Sequence, residues 1–131
     1  MTSRRRWTRA DGKRPITNTG RPASSTQPHT WASYREVRNA AAGDGYGIML
    51  GGGLACWDLD HVLVGGRLTE TGAAVLDAIT APVIFTEVSV SGEGLHVFTN
   101  EPEGPGIERE WGGHYSRARF IRVTGNAWTR R

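Results

Sequence analysis

The chain has 131 residues, 37% hydrophobic and 22% charged, with 18 Gly, 6 Pro and a single Cys. That size and balance suit one soluble globular domain with one core, and exclude a fibre, a disulfide-stapled miniprotein and a transmembrane bundle. Sixteen Lys and Arg against 13 Asp and Glu leave a formal charge of +3, which permits a polyanionic partner without requiring one.

Residues 1–30 are polar, punctuated by Pro and rich in Ser and Thr, a composition that predicts an irregular basic arm carrying Gly12-Lys13-Arg14-Pro15. Order is expected there only where Trp7 or the GKRP run docks on the remainder, residues 31–131, taken as the domain proper. Seven basic residues fall in the first 21 positions and six more in the last 23. All but Lys13 are Arg, whose planar fork suits phosphate and stacks on bases. Arg4-Arg5-Arg6 precede Trp7-Thr8-Arg9 and not the apolar run of a signal peptide. No apolar stretch approaches the roughly 18 residues of a bilayer span. A cytoplasmic protein with no membrane partner is expected, and the lone Cys56 agrees with a reducing compartment.

From Thr30 the pattern changes. Trp31, Tyr34, Val37 and Ala41 recur at helical spacing, predicting a helix capped by Thr30 that starts at Trp31 and ends by Gly43. Two apolar runs follow, Tyr46 to Leu50 and Leu54 to Leu59, and Gly51-Gly52-Gly53 between them reads as a hairpin turn. Leu68 to Thr80 predicts a second helix, opened by Thr69 or Thr71 and stopped by Pro82. Strands are expected at Val83 to Ser89, Gly94 to Thr99 and Arg119 to Thr124, with residues 100–112 a long loop because three Gly, two Pro and four Glu disfavour a helix. The order is αββαββ and then β, an α+β fold.

Strand side chains alternate, so Asp58 and Asp60 share one face while Trp57 and Leu59 turn to the core. Two carboxylates at that spacing repel unless a cation lies between them, and all-oxygen ligation suits Mg²⁺ or Mn²⁺. Two acids at a strand end, exposed or paired with Arg, is the plainer alternative. Downstream, Glu87, Ser89 and Ser91 share a strand face, and Gly92 and Gly94 would let backbone N–H groups approach an anion. His96 opens the next strand, where its ring can donate to a phosphate or a metal-bound oxygen. His29, His61 and His114 lack a partner at metal spacing.

Asp58-Leu59-Asp60, then Ser91-Gly92-Glu93-Gly94-Leu95-His96, then Arg119-Phe120 and Val123-Thr124-Gly125, resemble in that order the catalytic domain of archaeo-eukaryotic primases. More narrowly, the chain is similar to the bifunctional primase-polymerase domain of phage and plasmid replication proteins, from Lys13-Arg14-Pro15 through Ala23-Ser24-Ser25, Trp31 and Gly45-Tyr46-Gly47-Ile48 to Gly125. The resemblance implies a small α/β module with an RRM-like mixed or antiparallel sheet and flanking helices. It implies Mg²⁺ or Mn²⁺ held by Asp58 and Asp60, and His96 contacting the triphosphate of an incoming nucleotide. Ser89, Ser91, Gly92 and Gly94 would line that pocket, Arg119 would face the nucleotide, and Lys13 or Arg14 would reach phosphate. Single-stranded DNA template, nucleoside triphosphates and a replicative helicase are the implied partners, in a host cytoplasm if the gene is a phage's.

One part of the pattern is absent. Relatives carry a third carboxylate just before the last strand, and Gly113 stands at its place, leaving Glu108, Glu110 or His114 as substitute metal donors. Two other readings therefore stay open: a degenerate primase-like module that binds nucleic acid, nucleotide or a host factor, and a phosphoryl hydrolase using the same two aspartates.

Overall fold

Residues 1–130 are described by a computed structural model. Strands β1 (Trp7–Asp11), β2 (Arg14–Ile16), β3 (Gly45–Met49) and β11 (Phe120–Val123) form one sheet, in the order β11-β3-β1-β2. A second sheet has the order β7-β8-β4-β10-β9, built from β4 (Leu54–Leu59), β7 (Val83–Val88), β8 (Leu95–Asn100), β9 (Ile107–Arg109) and β10 (Gly112–Tyr115). Short strands β5 (Leu63–Val64) and β6 (Arg67–Leu68) make a separate ribbon, and helices α1 (Tyr34–Asn39) and α2 (Glu70–Ala78) complete an α+β fold. The pairings within these sheets are antiparallel.

Alternation splits β4 between two cores. Leu54 and Cys56 join Trp7, Ile48, Ile121, Val123, Phe98 and α1's Val37 between the sheets. Trp57 and Leu59 face the other way, onto Val97, Leu95 and α2's Val75. The second helix starts as expected, because the Thr69 hydroxyl accepts from Gly72 N–H and satisfies one of the four free donors of the first turn.

Four expectations are corrected. Residues 7–16 are a hairpin and not an irregular arm: Trp7, Thr8, Arg9 and Ala10 are all buried in the middle of the first sheet. Arg9 is tolerated there because its guanidinium donates to the carbonyls of Val37 at 3.0 Å and Ala42 at 2.7 Å, at the carbonyl end of α1. The first helix starts three residues late. Thr30 is spent upstream on Gln27 and Ser24, while Ser33 and Glu36 form a reciprocal capping box.

The Gly51-Gly52-Gly53 segment does not close a β3–β4 hairpin. It is a corner, with φ of +139°, +59° and +102°, that moves the chain from one sheet to the other. Both sides of each strand are paired elsewhere: β3 lies between β1 and β11, and β4 between β8 and β10. Lastly, the expected loop at 100–112 contains the edge strand β9 and leads into β10, glycine-rich but paired at four positions with β4 and at three with β9.

Candidate active site

A row of side chains crosses the inner face of the second sheet. The registers Glu87↔His96, His96↔Asp58, Asp58↔Gly113 and Gly113↔Glu108 place these residues side by side on five successive strands. The row opens into a cavity of about 480 Å³ whose lining includes Lys13, Asp58, Asp60, Ser89, Ser91, His96, Arg119 and Arg122. The first sheet contributes its β1–β2 turn and β11, so the cavity needs both sheets.

Asp58 and Asp60 lie at the end of β4, with Asp58 partly covered and Asp60 exposed. Burial pushes the Asp58 carboxyl above its ordinary range; His96 opposes that, Asp60 adds to it, and Arg119 and Lys13 oppose it again. The Nε2 atom of His96 stands 3.5 Å from Asp58 Oδ1, and its Nδ1 stands 2.9 Å from Glu87 Oε2. Ser89 and Ser91 hydroxyls meet at 3.1 Å on the cavity wall.

Lys13 sits on a turn that is locked in place. Asp44 accepts from Gly12 N–H at 3.0 Å, and Arg122 donates to Gly12 O at 2.6 Å and to Asp44 Oδ1 at 3.0 Å. Arg119 stacks over the Tyr115 ring with 3.8 Å from its central carbon to the ring centroid.

Other sequence candidates fall elsewhere. Arg14 pairs with Asp11 at 2.7 Å on the exposed hairpin and does not line the cavity. The N–H groups of Gly92 and Gly94 are used inside their own turn, on Ser89 O and Ser89 Oγ, and so do not form an open anion nest. Gly94 has a packing reason instead, since a Cβ there would meet Leu59 O at 2.5 Å. His114 is turned to the opposite sheet face, stacked on Trp57 and 2.9 Å from Glu101, and Glu110 is exposed in the β9–β10 turn.

Gly113 lies beside Asp58, and the Tyr115 ring folds over it into the space a side chain would take. The Tyr115 hydroxyl donates to Glu108 at 3.3 Å. Among the described residues, no group of three or more His, Cys, Asp or Glu side chains is gathered as a metal cluster. Sequence reading missed Asp44, Arg122 and Tyr115, whose roles depend on contacts across the sheets, and it gave Glu87 a face without a function.

One cavity thus gathers three carboxylates, Asp44, Asp58 and Asp60, with His96, Arg119, Arg122 and Lys13. Residues 6–126 match the family model described as bifunctional DNA primase/polymerase, N-terminal, and the chain belongs to that family. A curated relative, the DNA primase-polymerase of Nitratiruptor phage NrS-1, is 30% identical over 130 residues, covering 85% of this chain. The chain spans only 17% of that relative's length.

Proposed function

We propose that this chain performs template-directed nucleotidyl transfer in phage or plasmid DNA replication, making or extending primers on single-stranded DNA from nucleoside triphosphates. The observation that carries the reading is the convergence of Asp58, Asp60, His96, Lys13 and Arg119 in one cavity between the two sheets. In the reaction a primer 3′ hydroxyl attacks the α-phosphorus, the new P–O bond forms and pyrophosphate leaves. Lys13, Arg119 and His96 hold the phosphates in line, and the Ser89 and Ser91 hydroxyls donate to them.

Asp58 and Asp60 would hold Mg²⁺ or Mn²⁺. The fit rests on their donor chemistry: two oxygen ligands with water access, strained by mutual charge, suit an ion that keeps several waters and takes the rest from substrate phosphates. Such an ion supplies charge neutralisation at the attacking and leaving oxygens. A replicative helicase as partner, and action in a host cytoplasm, accompany this reading.

The test is primer extension on a single-stranded template with Mg²⁺ or Mn²⁺. Wild type is expected to incorporate labelled nucleotide, and Asp58→Asn and Asp60→Asn to lose incorporation by at least about 100-fold while remaining folded. Retained synthesis in both variants would remove these residues from the mechanism.

A second reading is favoured by Gly113, which leaves Asp58 without a carboxylate on the neighbouring strand. In it the chain is a degenerate module that binds nucleic acid or nucleotide, or blocks a host factor. DNA binding that falls steeply with salt, with no incorporation under either metal, is its signature.

A further inference from the structure

Four arginines gather on the glycine corner that carries the chain from β3 to β4. Arg6, just before β1, donates through Nη1 to Gly51 O at 2.8 Å and Met49 O at 3.4 Å. Arg4 donates through Nη1 to Gly52 O at 3.4 Å. Arg4 Nη1 and Arg6 Nη2 stand 3.6 and 3.7 Å from the place a Cβ would take on Gly52, so the two cations crowd together. Burial, and then the Arg4 charge, push the Arg6 guanidinium below its ordinary value. On the other side of the corner, the Arg117 Cα lies 4.0 Å from the place of a Gly51 Cβ, and Arg119 O accepts Leu50 N–H at 2.9 Å. Ala118 between these two is held at φ +47°, uncommon for a residue with a side chain, and both flanking arginines are exposed.

Among the described residues, none of the four has a carboxylate at ion-pair distance, although Arg5 beside them is paired with Glu36. The acid at the corner, Glu103, is engaged by Gly52 N–H at 2.8 Å. Like charges held together without an acid favour an anion between them, and the guanidinium fork matches phosphate. A small cavity of about 160 Å³ opens beside Arg4 and Arg6, lined also by Leu54 and by Ile84, which is 47% exposed. Arg119 lines the main cavity as well. The cations therefore run from that cavity, over the corner, to the small one at the opposite end of β4 from Asp58.

We propose that Arg117, Arg6 and Arg4 extend Arg119 into a track for the phosphates of a single polynucleotide strand running from the main cavity, with the pocket at Ile84 taking an unstacked base or sugar. This rests on the reading of the main cavity as a nucleotide site. The single strand follows from the pocket, whose apolar wall suits a base that a stacked duplex does not offer; a basic groove beside surfaces for bases is the common form of such sites.

The experiment measures binding of a fluorescein-labelled oligothymidylate to the whole chain by anisotropy across a range of salt. Wild type is compared with Arg4→Gln/Arg117→Gln and with Arg21→Gln/Arg67→Gln, which loses the same charge from exposed positions outside the track. Each phosphate contact on a single strand contributes about 0.7 to the slope of log affinity on log salt, so the track variant should lose about 1.4 of slope and the control none. In primer extension the template KM should rise in the track variant and the nucleotide KM should not change. Arg6 is left in place because it holds the carbonyls of Met49 and Gly51.

The second measurement needs no variant. Phenylglyoxal modification of wild type, read by mass spectrometry, should slow at Arg4 and Arg117 when oligothymidylate is added, but not with a nucleoside triphosphate alone, and should stay unchanged at Arg21 and Arg67. Equal slopes in the two variants overturn the proposal, as does a lack of protection at Arg4 and Arg117; if the track variant does not fold, protection decides. An oligodeoxyadenylate–oligothymidylate duplex that competes as well per phosphate overturns the single-strand assignment. A wild type that makes no product, with slopes and protection as expected, strikes the nucleotidyl-transfer reading and supports the track.

Discussion

Asp58 is the residue at which stability and chemistry conflict. Its carboxyl is pushed above the ordinary value of 3.8, chiefly by burial, so the folded protein holds the charged form less well than the unfolded chain does. The penalty is absent below that value, where both states are protonated, and is complete above the raised folded pKa. Asp58→Asn should therefore melt no lower than wild type at pH 7, and the difference should vanish below about pH 3.8; calorimetry across that range checks it. A variant that is inactive yet equally or more stable is what a functional residue under strain predicts.

Glu101 shows the opposite sign. Burial raises its carboxyl, but hydrogen bonds from Thr99, His114 and Trp57 outweigh burial and hold it below 4.5. Its stabilisation is full above 4.5 and is lost as pH falls through the lower folded value. Denaturant melts of wild type and Glu101→Gln should differ by a constant amount above that pH and converge below it.

At the scale of elements, α1 is the piece most dependent on a single side chain. It has six residues, too few to persist alone, and Ser33 closes its capping box with Glu36. Ser33→Ala should cost about 1 kcal/mol in chemical denaturation. The helix and its cap show how far the sequence could be read. Ser33 and Glu36 carry the S-x-x-E spacing, but Thr30 before an aromatic run offered an equally good start, and only the contacts of Thr30 with Gln27 and Ser24 separate the two.

Strands with an apolar pattern, β4, β7, β8 and β11, were legible, as was α2 with its Thr69 cap. β1 was not, because Thr-Arg-Ala-Asp reads as surface until Arg9 finds the carbonyls of Val37 and Ala42. Nor was β10, whose glycines contribute little of their own and rely on β4. The candidate site followed the same rule. Asp58, Asp60, Ser89, Ser91 and His96 lie on patterned segments and were found, whereas Asp44 and Arg122 act through a turn some 30 and 110 residues away in sequence.

For the molecule as a whole, pairing partners lie far apart in the chain. Phe120 pairs with Met49, Trp7 with Ile48, and Leu54 with Asn100. Loop closure must precede each of these contacts, so refolding from denaturant should take roughly milliseconds to seconds, well outside the range of helical bundles; stopped-flow fluorescence of the five Trp residues checks it.

The placing of β3 between β1 and β11 also bears on how the protein is made. Roughly seventy residues separate β3 from β11, so at about 5–20 residues per second the ribosome leaves one edge of β3 open for several seconds. An open edge invites pairing with neighbouring nascent chains. Gly45 and Gly47 weaken β3 as a template for such pairing. In the finished fold the same two positions admit the Arg122 and Phe120 side chains, which a Cβ at either glycine would obstruct. A strand that is a poor partner for strangers is thus shaped to accept β11 when that strand arrives.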